Sequence, residues 1–252
     1  MHGFLLLALA NLVNGASAGA DDVPFENPQS IKSSDKVLRA TIDLDWLSLQ
    51  LGSKIDNLIQ TRAIGGSIPG PTIRVSPGDT LMINFNNKLT SQESSVKSKA
   101  NFYSDPDVGN LHFHGGHVLS VLPGDDTTLA IQPQSSFDYT INFPEDHLPG
   151  IHWIHPHHHG STTLHLAGGA AMALIVEDPK DSSYLPPEID GAKEKVIVLQ
   201  YWNMNELYET AKKAGDKLMT DSLENANIDF RMSAFFTVNG LECPTIDIAQ
   251  GE

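Results

Sequence analysis

Cysteine, basic residues and N-glycosylation acceptors are scarce or missing in this chain of 252 residues. A single cysteine, Cys243, excludes an intrachain disulfide, and no asparagine begins the Asn-x-Ser/Thr pattern of a glycosylation acceptor. Lysine and arginine total 16 against 31 aspartates and glutamates, which gives a formal net charge of -15. Because such an acidic chain repels phosphate backbones and anionic lipid surfaces, nucleic acid and membranes are poor candidate partners.

The N-terminus carries a largely apolar run from Phe4 to Val13, which is too short to span a bilayer. The small residues Ala16, Ser17 and Ala18 follow it and are typical of a signal peptidase site. We therefore predict a signal peptide over residues 1–18 and a secreted location, or a periplasmic one in a bacterium. The alternative interpretation of this run is a buried N-terminal helix.

Beyond this point the sequence is typical of short β-strands separated by tight turns. Runs rich in β-branched and aromatic residues predict four strands, at 73–75, 80–85, 137–143 and 170–176. Proline and glycine clusters such as Pro69-Gly70-Pro71 lie between them and mark turns. This pattern predicts an all-β protein built as a Greek-key β-sandwich or barrel. Residues 205–225 have a helical character and are expected to form a surface insertion.

An internal repeat predicts how the chain is divided. The segment Pro71-Thr-Ile-Arg-Val-Ser-Pro-Gly-Asp79 reappears as Pro244-Thr-Ile-Asp-Ile-Ala-Gln-Gly-Glu252, with four of nine positions identical and three more replaced conservatively. We predict a poorly ordered lead-in at 19–36, a first domain at 37–180, a linker at 181–194 and a second domain of the same fold at 195–252. Because a half-built sandwich leaves strand edges unpaired, we expect the second domain to be truncated and the chain to be a fragment.

Histidines are concentrated in one part of the chain. Ten of the eleven lie between His112 and His165, and they include the motifs His112-Phe113-His114 and His155-Pro156-His157. Side chains at positions i and i+2 of a strand lie on the same face, so each motif presents two imidazoles to one side. A Greek-key fold makes non-consecutive strands neighbours, which allows the two pairs to converge.

Four neutral imidazoles favour copper, zinc, nickel or iron over calcium or magnesium, and copper stands first in the order of affinity. Two other kinds of metal site also use histidine ligands. A cupin-like site also uses His-x-His but adds a glutamate a few residues later, and none follows His114. A structural zinc site usually includes cysteine, and Cys243 is distant in sequence.

Four segments together resemble the first cupredoxin domain of multicopper oxidases, a family that includes laccases and bacterial copper-tolerance oxidases. The segments occur in the family's order and spacing, and they are Pro69–Asp79, Leu111–Gly115, Gly150–His157 and Gly168–Glu177. The resemblance covers residues 37–180, and 195–252 resembles the opening of the next domain. It implies a cupredoxin-like fold and four one-electron oxidations of a reducing substrate coupled to reduction of O2 to water.

The resemblance also implies roles for individual residues. His112 corresponds to a ligand of the type 2 copper, and His114, His155 and His157 correspond to ligands of the type 3 pair. Asp125 or Asp126 is a candidate proton relay, with an aspartate in a loop turn as the alternative interpretation. Trp153 is interpreted as a core aromatic residue rather than as an electron relay, which is the alternative. Six histidines match no family ligand position and are interpreted as surface, supporting or secondary copper-binding residues: His117, His147, His152, His158, His159 and His165.

The sequence departs from the family at the type 1 copper. That site needs a cysteine flanked by histidines, whereas Cys243 lies in Leu-Glu-Cys-Pro and no histidine follows His165. The other four histidines of the trinuclear cluster are also missing, so the resemblance implies further C-terminal cupredoxin domains as partners. Blue-copper nitrite reductases are disfavoured, because their first domain carries the cysteine. The alternative function is a secreted module that sequesters copper without turnover. Phenols, metal ions, bilirubin-like pigments and ascorbate remain open as substrates.

Overall fold

The computed structural model describes residues 23–51, 58–92, 101–179, 192–228 and 234–248, together with Pro186 and Ile189. The predicted signal peptide at 1–18 and most of the predicted linker lie outside these ranges. Eleven strands and three helices form from the described residues. They are β1 Ser30–Lys32, β2 Val37–Leu49, β3 Ile59–Ile64, β4 Thr72–Val75, β5 Thr80–Asn87, β6 His112–His114, β7 Ser135–Asn142, β8 Gly150–His155, α1 Thr162–Ala167, β9 Met172–Val176, β10 Leu199–Asn203, α2 Met204–Ala214, α3 Lys217–Asn225 and β11 Ala234–Val238.

Two mixed sheets pack into a sandwich. One has the strand order β1-β4-β9-β8-β6 and the other β3-β2-β5-β7, so most neighbours are non-consecutive in sequence, as a Greek-key arrangement requires. β5 alternates buried and half-buried residues along its whole length, and its buried residues join those of β8 and β9 in one apolar core. The all-β prediction is confirmed, and the four predicted strands correspond to β4, β5, β7 and β9. No helix among the described residues is long and apolar enough to cross a membrane.

The lead-in is ordered where it is described, which corrects the expectation for residues 23–36. β1 pairs in parallel with β4, and further upstream the Phe25 amide donates to the Thr245 carbonyl at 2.8 Å. The Thr245 amide donates in turn to the Val23 carbonyl at 2.8 Å. The segment therefore binds both the sandwich and the C-terminal region through backbone atoms. The polar composition of this segment gives no signal of its pairing, because the free edge of β4 pairs with an extended backbone whatever side chains that backbone carries.

The helical prediction for residues 205–225 is confirmed by α2 and α3, but the expected surface insertion is wrong. Buried residues of both helices form a second apolar core with Trp202 of β10 and Ile59 of β3. The Asn203 side chain caps α2 by accepting from the Glu206 amide at 3.1 Å, and Gly215 ends it in the left-handed conformation at φ 71°. The helices are thus packed against the sandwich rather than added to its surface.

The segments that precede the two copies of the sequence repeat have the same local structure. β3 pairs antiparallel with β2, and β11 pairs antiparallel with β10. Each second strand is followed by the same tight turn, closed by the bridges Ile64–Ser67 and Val238–Leu241. One face of the β10–β11 hairpin is apolar and exposed, at Leu199, Tyr201 and Phe236. On these features we propose the division into a first domain at 37–180 and the opening of a second at 195–252.

Candidate metal centre

Two antiparallel strands bring the histidine motifs together. β6 is the edge strand of its sheet and pairs with β8 in a register that places His112 opposite His155 and His114 opposite Trp153. Phe113 and Ile154 alternate with these residues and are fully buried in the sandwich core. The histidines therefore lie on the outer face of the sheet, because successive side chains of a strand point to opposite faces.

Three of the histidines converge closely enough to share a metal ion. The ligand nitrogens of His112, His114 and His155 all lie within 4.8 Å of one another. His157 follows Pro156 beyond the end of β8, and its ring centroid lies 5.0 Å from that of His112 and 5.8 Å from that of His155. The four histidines singled out from the sequence therefore meet at one place, with three of them forming its centre.

His155 is the most buried of the four, at 5% exposure. Its Nδ1 donates to the Pro156 carbonyl at 2.9 Å, so its Nε2 carries the lone pair and accepts from His114 Nδ1 at 3.2 Å. Burial lowers the pKa of His155 to about 4 against the opposing effect of the Pro156 carbonyl, and the neighbouring His112 and His157 lower it further. This imidazole is therefore neutral near pH 7, the form that binds a metal ion.

Asp125 and Asp126 are separated by the structure although they are adjacent in sequence. The buried Asp125 carboxylate lies 2.9 Å and 3.0 Å from His112 Nδ1 and also accepts from the Phe113 amide at 3.1 Å. A carboxylate on Nδ1 leaves Nε2 of the imidazole available as a ligand, which is the usual outer-shell arrangement of a metal-binding histidine. Asp126 instead accepts from the Thr128 hydroxyl at 2.6 Å, which lowers the pKa of the Asp126 carboxyl.

Sequence reasoning missed two residues that support the site. Asn110 is fully buried, and its side-chain oxygen accepts from the His157 amide at 2.6 Å, which holds the start of the loop after β8. Trp153 is not a core residue, because it lies half-buried on the outer face and its ring stacks on those of His114 and His155. No sequence signal marks Asn110, whereas the i, i+2 spacing places Trp153 on the same face as His155.

Three of the remaining histidines form a separate group beside the site. His147 donates from Nδ1 to the Leu148 carbonyl at 2.7 Å and accepts the His117 amide at Nε2 over 3.0 Å. Its ring centroid lies 5.4 Å from that of His152. Because both nitrogens of His147 are already hydrogen-bonded, this residue joins the loops on either side of the metal-site strands rather than offering a ligand.

The last three histidines lie beyond β8. His159 is exposed and its Nε2 accepts weakly from the Asn101 amide at 3.4 Å, while His158 is half-buried and burial lowers its pKa. His165 of α1 is fully buried, and its Nε2 donates to the Pro106 carbonyl at 2.7 Å. Burial, and then the nearby Arg62, lower the pKa of His165 to about 3 from the ordinary 6.5. His165 is therefore a neutral structural histidine.

This depressed pKa predicts a stability that depends on pH. Below about pH 6.5 the unfolded chain protonates His165 whereas the folded chain does not, so stability is lost as the pH falls towards the folded pKa of about 3. We expect the free energy of unfolding to drop by about 2 kcal/mol more between pH 7 and about pH 5 in the unmodified chain than in His165→Gln. Urea titrations at both pH values measure this difference, and equal drops would contradict it. The exposed His159→Gln is the control and should behave as the unmodified chain.

Comparison with known structures agrees with this fold. The sandwich resembles a Campylobacter jejuni structure described as a multicopper oxidase and metallo-oxidase, with a TM-score of 0.54, 22% identity and coverage of 71% of this chain and 33% of that one. A laccase from Pediococcus acidilactici aligns with a TM-score of 0.55 and 19% identity, over 72% of this chain and 36% of that one. Identities this low establish the fold alone, which is the cupredoxin-like sandwich.

The sequence comparisons establish the family. A family model described as multicopper oxidase matches residues 53–181, which is half of the chain. The chain belongs to the multicopper oxidase family. It is 26% identical over 202 residues to multicopper oxidase MmcO of Mycobacterium tuberculosis, covering 79% of this chain and 34% of that protein. It is 32% identical over 174 residues to the iron transport multicopper oxidase fetC of Epichloe festucae, covering 67% of this chain and 24% of that protein. The chain thus spans a quarter to a third of the length of these relatives.

Family membership implies copper, and the site fits it. Three imidazole nitrogens within 4.8 Å of one another supply donors that suit copper. The contacts of His112 with Asp125 and of His155 with the Pro156 carbonyl use Nδ1 of each ring and leave Nε2 as the ligand atom. Among the described residues no carboxylate oxygen joins this group of ligand atoms, whereas calcium and magnesium prefer oxygen ligands. The chemistry of the donor set therefore agrees with the family.

Proposed function

We propose that this chain is the N-terminal, copper-binding part of an oxidoreductase that couples one-electron oxidations of a substrate to reduction of O2 to water. The observation that carries the proposal is the convergence of His112, His114 and His155, with His157 beside them, on the outer face of the sheet. Membership of the multicopper oxidase family supports the oxidoreductase class. Copper bound here would supply one-electron redox chemistry. Because reduction of O2 to water takes four electrons, several copper ions would be needed close together.

Within this proposal each side chain has a separate task. By resemblance, His112 would hold a type 2 copper, and His114, His155 and His157 would hold type 3 coppers. Asp125 fixes the hydrogen on Nδ1 of His112 and turns Nε2 towards the centre. Because its carboxylate contacts this imidazole, Asp125 rather than Asp126 is the proposed proton-relay residue.

The rest of the centre would come from elsewhere in the protein. The resemblance requires four further cluster histidines and a type 1 site with a His-Cys-His run, none of which occurs in these residues. We place them in C-terminal cupredoxin domains of the same protein, consistent with the quarter to third of its relatives' length that this chain spans. The signal peptide predicted at 1–18 supports an extracellular or periplasmic site of action.

Two proteins made in parallel test this proposal. We expect the 252-residue chain, loaded with copper, to show no intense blue absorption and no O2 consumption. Cys243 is exposed and has no histidine beside it in sequence, so it does not form the His-Cys-His run of a blue copper site. The product of the complete reading frame should be blue and should consume O2 with phenols or ferrous ions, as measured with an oxygen electrode.

The His112→Ala variant of the complete product separates the alternatives. We expect it to stay blue, since the type 1 site lies elsewhere, but to lose O2 consumption. A complete product that binds copper without consuming O2 would favour the sequestering function. A blue, oxygen-consuming 252-residue chain would overturn the proposal.

A further inference from the structure

Trp153 shares the outer face of the sheet with the metal-site histidines. It lies opposite His114 in the β6–β8 register and two residues before His155 on β8, so its side chain projects on the same side as both. Its other cross-strand partner is Ala173 of β9, a small residue that is only 7% exposed. The indole therefore lies on the outer face of the sheet beside the histidines rather than in the sandwich core.

The indole stacks on two imidazoles at once. Its ring centroid lies 4.1 Å from that of His155 with an angle of 28° between the planes, and 5.0 Å from that of His114 with an angle of 26°. The remaining contacts among the histidines are of another kind, since His112 meets His155 edge-on at 90° and His157 at 72°. Trp153 thus backs the two imidazoles whose nitrogens lie 3.2 Å apart.

The two rings differ in what else holds them. His155 is fixed by its bond to the Pro156 carbonyl, and His112 is fixed by Asp125. His114 lies exposed on an edge strand, and within the described part of the chain its side chain has no hydrogen bond to a carbonyl or carboxylate, its ring partners being the other histidines and Trp153. The hydrogen bond from His114 Nδ1 to His155 Nε2 joins two candidate ligand atoms, so a metal ion shared by the two rings would replace it. Any freedom that the His114 ring then regains must be restricted by the bound ion at a cost in affinity.

We propose that Trp153 is a positioning residue of the metal centre, whose indole holds the His114 and His155 imidazoles at metal-binding separation before the ion binds. In this arrangement the stacked indole orients the His114 ring, as the hydrogen bond to Asp125 orients the His112 ring. The inference rests on the proposed function only for the identity of the metal, because the stacking would orient the same rings for any ion that imidazole binds.

Copper titration of the 252-residue chain tests this role. We expect Trp153→Leu, which removes the aromatic face, to weaken Cu(II) binding about tenfold, equivalent to about 1.4 kcal/mol. Trp153→Phe keeps a ring that can stack and should recover most of that loss. Ile151→Ala is the matched control, since Ile151 lies on the same strand and face at 85% exposure and has no part in the histidine cluster. It should bind Cu(II) as the unmodified chain does.

Two spectroscopic measurements distinguish positioning from general stability. The Cu(II) electron paramagnetic resonance spectrum should change in Trp153→Leu and stay unchanged in Ile151→Ala. In the unmodified chain, Cu(II) should also quench the tryptophan fluorescence that comes from Trp153, which is identified as the part of the emission missing in Trp153→Phe. This measurement does not depend on whether Trp153→Leu folds. Wild-type affinity and spectrum in Trp153→Leu, a loss in Trp153→Phe as large as in Trp153→Leu, or unquenched Trp153 emission would each overturn the inference. Since all readouts are of copper binding, an inactive complete enzyme would count against the proposed function and leave this inference standing.

Discussion

Replacing His155 by alanine is expected to remove tight copper binding from the chain while leaving the fold intact. His155 is the buried member of the cluster, and its ring contacts those of His112, His114 and His157. Loss of an outer-shell partner alone typically lowers metal affinity by about 10–100-fold, so loss of a central ligand should cost more than about 100-fold. Competition titration with a chelator of known copper affinity measures the change.

The matched control for this variant is His159→Ala. His159 belongs to the same run of histidines but is exposed and lies outside the convergent group, so its replacement should change copper affinity less than about threefold. Circular dichroism should show the same sandwich in both variants. Tight binding retained in His155→Ala, or equal losses in the two variants, would rule out the assignment of this site.

Replacing the buried Arg62 is expected to cause a large loss of folding stability. Its guanidinium is fully buried, donates at 2.6 Å to Asp107 and at 2.6 Å to Asp216, and lies 4.2 Å from the centre of the Trp46 ring. Arg62→Met leaves two buried carboxylates without their cation, and breaking a buried pair in this way costs about 3–5 kcal/mol. Urea denaturation should report a loss of that size in the free energy of unfolding.

An exposed ion pair provides the comparison. Lys36 and Glu145 lie 3.0 Å apart with side chains that are 69% and 77% exposed. Lys36→Met should therefore cost less than about 1 kcal/mol. Equal effects of the two substitutions would contradict the structural role of Arg62. That role is to join β3 to Asp216, the residue that caps α3, and so to bind the helical segment to the sandwich.

The strands and the pairing of histidines could be predicted from sequence because both depend on local periodicity. The i, i+2 spacing alone places His112 with His114 and His155 with His157 on common faces. Which strands become neighbours, and in what register, is a tertiary property, so the contact of His114 Nδ1 with His155 Nε2 could not be derived from spacing. The same limit applies to Asp125 and Asp126, since only the path of the loop decides which carboxylate reaches His112.

Other features depended on partners that are distant in sequence. The lead-in looked unstructured by composition, yet the free edge of β4 and the Thr245 backbone order it. The helices at 204–225 looked like a surface insertion because the apolar surface they cover, at Ile59 and Trp202, lies on other elements. The prediction that Trp153 is a core residue is wrong because its spacing from His155 places it on the outer face, although large aromatic residues are usually buried to a high degree.

The most direct test of the central claim is anomalous diffraction at the copper absorption edge from crystals of the copper-loaded chain. We expect an anomalous peak bounded by the imidazoles of His112, His114 and His155, with His157 beside it, and the loss of this peak in His155→Ala. A peak at His117, His147 and His152, or a chain that takes up no copper, would contradict it.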